Sequence, residues 1–108
     1  MNNQLSIFDF MDNNELPDFN TISEAETAKI IGDAIGVTFQ YDKFFSDYRA
    51  KVGKCTLTCH YSHYNGVRDD RMFISVGWSN DADKSGCGSP TDSIEEAIKF
   101  FKRYMNRG

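Results

Sequence analysis

The chain has 108 residues, 40% apolar and 26% charged, with a net charge of −4; that is material for one domain with a modest core and too little for two. No apolar run approaches the roughly eighteen residues that cross a bilayer, and the N-terminus lacks the basic start and apolar stretch of a signal peptide, so a cytoplasmic protein with no membrane partner is expected. Three cysteines, an odd number, fit reduced thiols in that compartment rather than a disulfide framework.

The charge is unevenly placed. Residues 1–20 carry Asp9, Asp12, Glu15 and Asp18 and no Lys or Arg. Of sixteen acidic and twelve basic residues in the chain, the remainder therefore holds twelve of each. A neutral body argues against a basic nucleic-acid binder, so no direct nucleic-acid contact is expected. Within the acidic stretch Leu5, Ile7, Phe8 and Phe10 stand among Asn, Gln and Asp. We read 1–20 as an acidic tail bearing a linear motif and 21–108 as a single domain.

After the tail, Thr21 with Glu24 and Ser23 with Glu26 each form the pattern of a capping box. Ala25, Ala28, Ile31 and Ile35 follow at helical spacing and Gly36 stands at a C-terminal glycine position, which predicts a helix over about 23–35. Val37, Phe39 and Tyr41 alternate as a short strand, interrupted by Asp42 to Ser46. Tyr48, Ala50 and Val52 alternate next, and Gly53-Lys54 suits a two-residue II′ hairpin turn.

The clearest strand places Cys55, Leu57, Cys59, Tyr61 and His63 on one face and Thr56, Thr58, His60 and Ser62 on the other. A charged loop from Asn65 to Asp70 leads to another, with Met72, Ile74, Val76 and Trp78 on one face. Ser79 to Ser89 reads as a polar loop. Asp92 with Glu95, or Ser89 followed by Pro90, can then cap a helix over about 92–105 whose buried stripe is Ile94, Ala97, Ile98, Phe101 and Met105. The expected fold is α+β: a helix, three or four antiparallel strands and a helix, with both helices on one face of the sheet. Periodicity leaves Phe19, Phe44 and Phe45 open between core, dimer contact and binding patch.

Cys55, Cys59, His60, His63 and Cys87 are residue types that bind zinc. Strand geometry sets Cys55, Cys59 and His63 about 13 Å apart at successive steps, so no two of them reach one ion, and neither metal nor cofactor is expected. Cys59 and His60 point to opposite faces, and Cys87 could meet a histidine only through the tertiary fold; a small enzyme using that pair is the third reading, and no catalytic residue is assigned. Gly86-Cys87-Gly88 is similar to an anion cradle, but Asp92, Glu95 and Glu96 would repel a phosphate there, which favours a flexible β-to-α connection.

The order of elements over 23–105 resembles a double-stranded-RNA-binding domain. That family carries lysines where its second helix begins, and this chain has Thr91-Asp92-Ser93-Ile94-Glu95-Glu96, so the resemblance implies a fold and not RNA binding. Gln4-Leu5-Ser6-Ile7-Phe8 resembles the peptide by which bacterial replication and repair proteins dock on the DNA polymerase sliding clamp, Gln-Leu-Ser/Asp-Leu-Phe, with Ile7 where Leu is preferred. That resemblance implies a polar anchor at Gln4 and apolar groove contacts from Leu5, Ile7 and Phe8, with Phe10 beside them. The expected function is a non-enzymatic, protein-binding accessory factor on the clamp. The alternative is a small phage or mobile-element inhibitor, anti-CRISPR-like, whose Asp69, Asp70, Asp81 and Asp83 meet the basic channel of a nucleic-acid-binding nuclease.

Overall fold

Ser23 begins the first helix as the sequence predicts. In the computed structural model, which describes residues 16–64 and 71–105, its hydroxyl accepts from Glu26 N–H while the Glu26 carboxylate accepts from Ser23 N–H, a closed capping box. Helix α1 spans Glu24–Ile35 and ends at Gly36, whose φ of 82° is left-handed and needs no Cβ. Ahead of it, a single 3-10 turn at Phe19–Thr21 is fixed by Asp18, whose carboxylate accepts from Asn20 N–H. This turn delivers Phe19 into the core at 3% exposure, and Leu16 packs against the same cluster, so core packing starts ahead of the expected boundary at 21.

Five strands follow: β1 Gln40–Asp42, β2 Asp47–Val52, β3 Cys55–His63, β4 Met72–Asn80 and β5 Ser85–Thr91. Each pairs antiparallel with its sequence neighbour, giving the order β1-β2-β3-β4-β5. The β2–β3 turn has positive φ at Gly53 alone, as a II′ turn requires. Helix α2, Ile94–Met105, is the last element among the described residues. Both helices lie on one face of the sheet, where Ala28 and Ile31 of α1 and Ile94, Ala97, Ile98 and Phe101 of α2 pack on Leu57, Cys59, Ile74 and Val76. No helix among the described residues is long and apolar enough to cross a membrane.

Two expectations are corrected. Among the described residues the strands number five rather than three or four, because Ser79 to Ser89 is the end of β4, a turn, and most of β5. That segment shows no apolar alternation, since an edge strand needs only one ladder and tolerates both Gly and Pro. Its glycines also suit a close approach: a Cβ at Gly86 would stand 3.0 Å from Trp78 O, and one at Gly88 3.1 Å from Val76 O.

The second correction is the start of α2. Ser93, not Asp92 or Ser89, accepts from the Glu96 N–H at 3.1 Å, and Glu96 reaches back to the Asp92 N–H at 2.8 Å. Glu95 points outward to Lys99 instead. The cap sits one residue later than expected, in the phase that buries Ile94, Ala97 and Ile98.

Candidate functional site

Side chains alternate along a strand, so filling one sheet face with the core leaves the other without a helix cover. On that face β2 presents Asp47, Arg49 and Lys51, β3 presents Thr56 and Thr58, and β4 and β5 present Gly77 and Gly86; Arg49, Thr56, Thr58, Gly77 and Gly86 line a shallow depression. Gly77 fits the floor because a Cβ there would stand 2.6 Å from Thr58 Oγ1.

At one end of this face the β1–β2 turn carries an aromatic tip. Asp42 accepts from both Phe44 and Phe45 N–H, Ser46 takes a left-handed φ of 58°, and the turn is thereby fixed. Phe44 is 86% exposed and Phe45 53%, their rings edge-to-face at 4.8 Å. The Arg49 guanidinium lies 3.6 Å from the Phe45 ring centroid and forks onto the buried Asp47 carboxylate at 2.8 and 3.2 Å. Exposed aromatics beside an oriented arginine are the side chains that dominate protein–protein contacts. The sequence singled out Phe44 and Phe45 without deciding their side; the exposure settles it, and Phe19 takes the core.

The acidic candidates separate. Asp81 accepts from Lys51 Nζ and from Thr56 Oγ1, at 3.0 Å for the latter, which ties the β4–β5 turn to β2 and β3. Asp83 accepts from the Ser85 hydroxyl and N–H at 2.6 and 2.9 Å. The hydrogen bonds from Lys51 and Thr56 hold the Asp81 carboxyl below its usual range, and those from Ser85 do the same for Asp83. Both are anions already engaged, Asp81 by β2 and β3 and Asp83 within its own turn. Asp69 and Asp70, like Gln4, Leu5, Ile7, Phe8 and Phe10, lie outside the described residues.

The cysteines and histidines do not converge. Cys59 is buried beneath the helices, and burial, followed by the charges of Glu24 and Asp47, pushes its thiol up to about 12, which disfavours a thiolate nucleophile. His60 lies on the opposite face, its Nδ1–H donating to Tyr61 O at 3.0 Å. Cys87, exposed on β5, stands opposite Trp78, whereas His60 stands opposite Ser75. The register therefore separates the two by about 10 Å along the strands as well as two strand spacings. Gly86-Cys87-Gly88 is itself strand, so no anion cradle forms there. Among the described residues no three His, Cys, Asp or Glu side chains lie close enough to hold a metal ion.

One polar centre was not anticipated. Tyr61 Oη meets Thr27 Oγ1 at 2.5 Å and lies 2.9–3.1 Å from the carbonyls of Phe19, Ile22 and Ser23, while Tyr61 N–H donates to Glu24 at 2.6 Å. It locks the entry of α1 onto β3. Alternation placed Tyr61 on the core face, but no sequence signal names its partners.

No protein-family model, curated protein or solved structure matches this chain.

Proposed function

We propose that this chain is a non-enzymatic, protein-binding accessory factor that docks on the bacterial DNA polymerase sliding clamp through residues 4–8. The observation that carries it is the run Gln4-Leu5-Ser6-Ile7-Phe8, a polar anchor followed by three apolar side chains at the spacing of the clamp-docking peptide. Burying each of Leu5, Ile7 and Phe8 in a groove contributes roughly 1.5–3 kcal/mol, and ordering a peptide takes part of it back, which leaves an affinity on the order of micromolar.

Titration of labelled full-length chain with a bacterial sliding clamp tests this directly. The double substitution Leu5→Ala and Phe8→Ala should weaken binding by at least about a hundredfold. An affinity unchanged by that variant, or no binding by the parent chain, sinks the reading.

The aromatic tip favours a second reading, in which the protein is a small inhibitor that occludes a nuclease or another defence protein. Phe44 is exposed, so Phe44→Ala costs no core packing and should abolish inhibition while leaving clamp binding intact.

A further inference from the structure

The two ends of the sheet are finished differently. Tyr64 N–H donates to Arg71 O, which fixes the parity of the β3–β4 ladder and turns the N–H and C=O of Cys55, Cys59 and Tyr61 toward β2. The β2–β3 pairing ends at Tyr48 and Cys59, so Tyr61 projects past it, and both its backbone groups are covered: Glu24 accepts from the N–H and His60 donates to the C=O. At the outer edge β1 is three residues long, and by the same parity only Tyr41 turns its backbone groups outward. These are the usual ways of blunting an edge.

Strand β5 has no such cover among the described residues. The same parity directs Ser85, Cys87, Ser89 and Thr91 inward to β4 and leaves the N–H and C=O of Gly86 and Gly88 pointing out from the sheet, on exposed residues. Pro90, the next outward residue, has no N–H, and its carbonyl accepts from Ser89 Oγ, so pairing is confined to 85–89. No residue of β5 is charged, so two copies meet there without like charges despite the net −4.

The segment reads Ser85-Gly86-Cys87-Gly88-Ser89, the same in both directions about Cys87. An isologous contact requires that residue i meets j while j meets i, and a palindromic strand places like residues at every facing position. We propose that the chain forms a twofold dimer by antiparallel pairing of β5 with β5 of a second copy. Gly86 faces Gly88 of the other copy in a hydrogen-bonded pair, twice over, and Cys87 faces its own counterpart in the intervening non-hydrogen-bonded pair. Such pairs stand about 4.5 Å apart at Cα, inside the span of about 4.4–6.8 Å that a disulfide bridges. The dimer needs no covalent bond; the facing thiols report its register. This surface is independent of residues 4–8 and of the aromatic tip.

Sedimentation equilibrium of the full chain in reductant should show the average mass rising from 12.3 kDa toward twice that value as concentration climbs through the micromolar range. Ser85→Glu with Ser89→Glu sets like charges opposite each other across the axis and should return the monomer mass at every concentration, with helix content by circular dichroism unchanged. Ser85→Lys with Ser89→Glu instead sets opposite charges at the same facing positions and should keep the dimer. Diamide, which takes one hydrogen from each of two thiols as the S–S bond forms and is itself reduced, should yield a covalent dimer lost in Cys87→Ser and kept in Cys55→Ser. A parent chain that stays monomeric overturns the proposal, as does a dimer indifferent to the double glutamate variant or a cross-link that survives Cys87→Ser. A monomer whose Gly86 and Gly88 amides resist exchange also overturns it, in favour of a peptide segment on this edge.

Discussion

Tyr61 couples an element that leads into a helix to a strand far along the chain, and it does so with one hydroxyl and one amide. Thr27 supplies a proton to the Tyr61 oxygen, whose own proton is shared among the carbonyls of Phe19, Ile22 and Ser23. Removing the hydroxyl leaves Thr27, itself buried, without that partner. Tyr61→Phe should therefore lower unfolding free energy by about 1–3 kcal/mol in urea denaturation, although the ring and its edge contact with Phe19 remain. A midpoint equal to that of the parent would show that water replaces the bond at no loss.

At the level of elements, helix boundaries follow local chemistry and strand β5 does not. Ser23, Glu26 and Gly36 are readable because capping acts within a few residues. Ser93 differs by one position from the Asp92 start because Asp92-Ser93 offers two adjacent caps, and only the buried face of α2 selects between them. Gly32 shows the opposite sign of a local rule. Replacing a helix-interior glycine with alanine ordinarily stabilises by about 1 kcal/mol. Here the Cβ would meet the Val37 carbonyl at 2.5 Å, in the backbone that turns back from α1 toward β1. Gly32→Ala should thus destabilise by about 1–3 kcal/mol, measured by thermal denaturation; a raised Tm would mean that this turn yields freely.

For the molecule as a whole, stability has an acid and an alkaline limit with separate causes. The Asp81 and Asp83 carboxyls are held below their ordinary 3.8, so their contribution is present above that pH and lost as pH falls through the folded values. Cys59 runs the other way. Its thiol is raised from 9.0 to about 12, so the contribution is complete below pH 9 and declines above it by up to about 1.4 kcal/mol per pH unit. Unfolding free energy measured from pH 3 to 11 should form a plateau between these limbs. Cys59→Ala should flatten the alkaline limb and Asp81→Asn the acid one; limbs of unchanged slope in both variants would assign the pH dependence to other groups.

The α+β class, both helices, the core face of β3 and β4 and the Gly53 turn were legible because each rests on periodicity or on chemistry within a few residues. The Gln4–Phe8 pattern lies outside the described residues and rests on sequence alone. Tertiary structure decided the rest. It made a strand of Ser85–Thr91, whose residues have little strand preference of their own and are held by the ladder that β4 offers. It also sent Phe19 inward while Phe44 and Phe45 stayed out, because burial depends on what lies opposite a side chain, and that is set by contacts between residues distant in the chain.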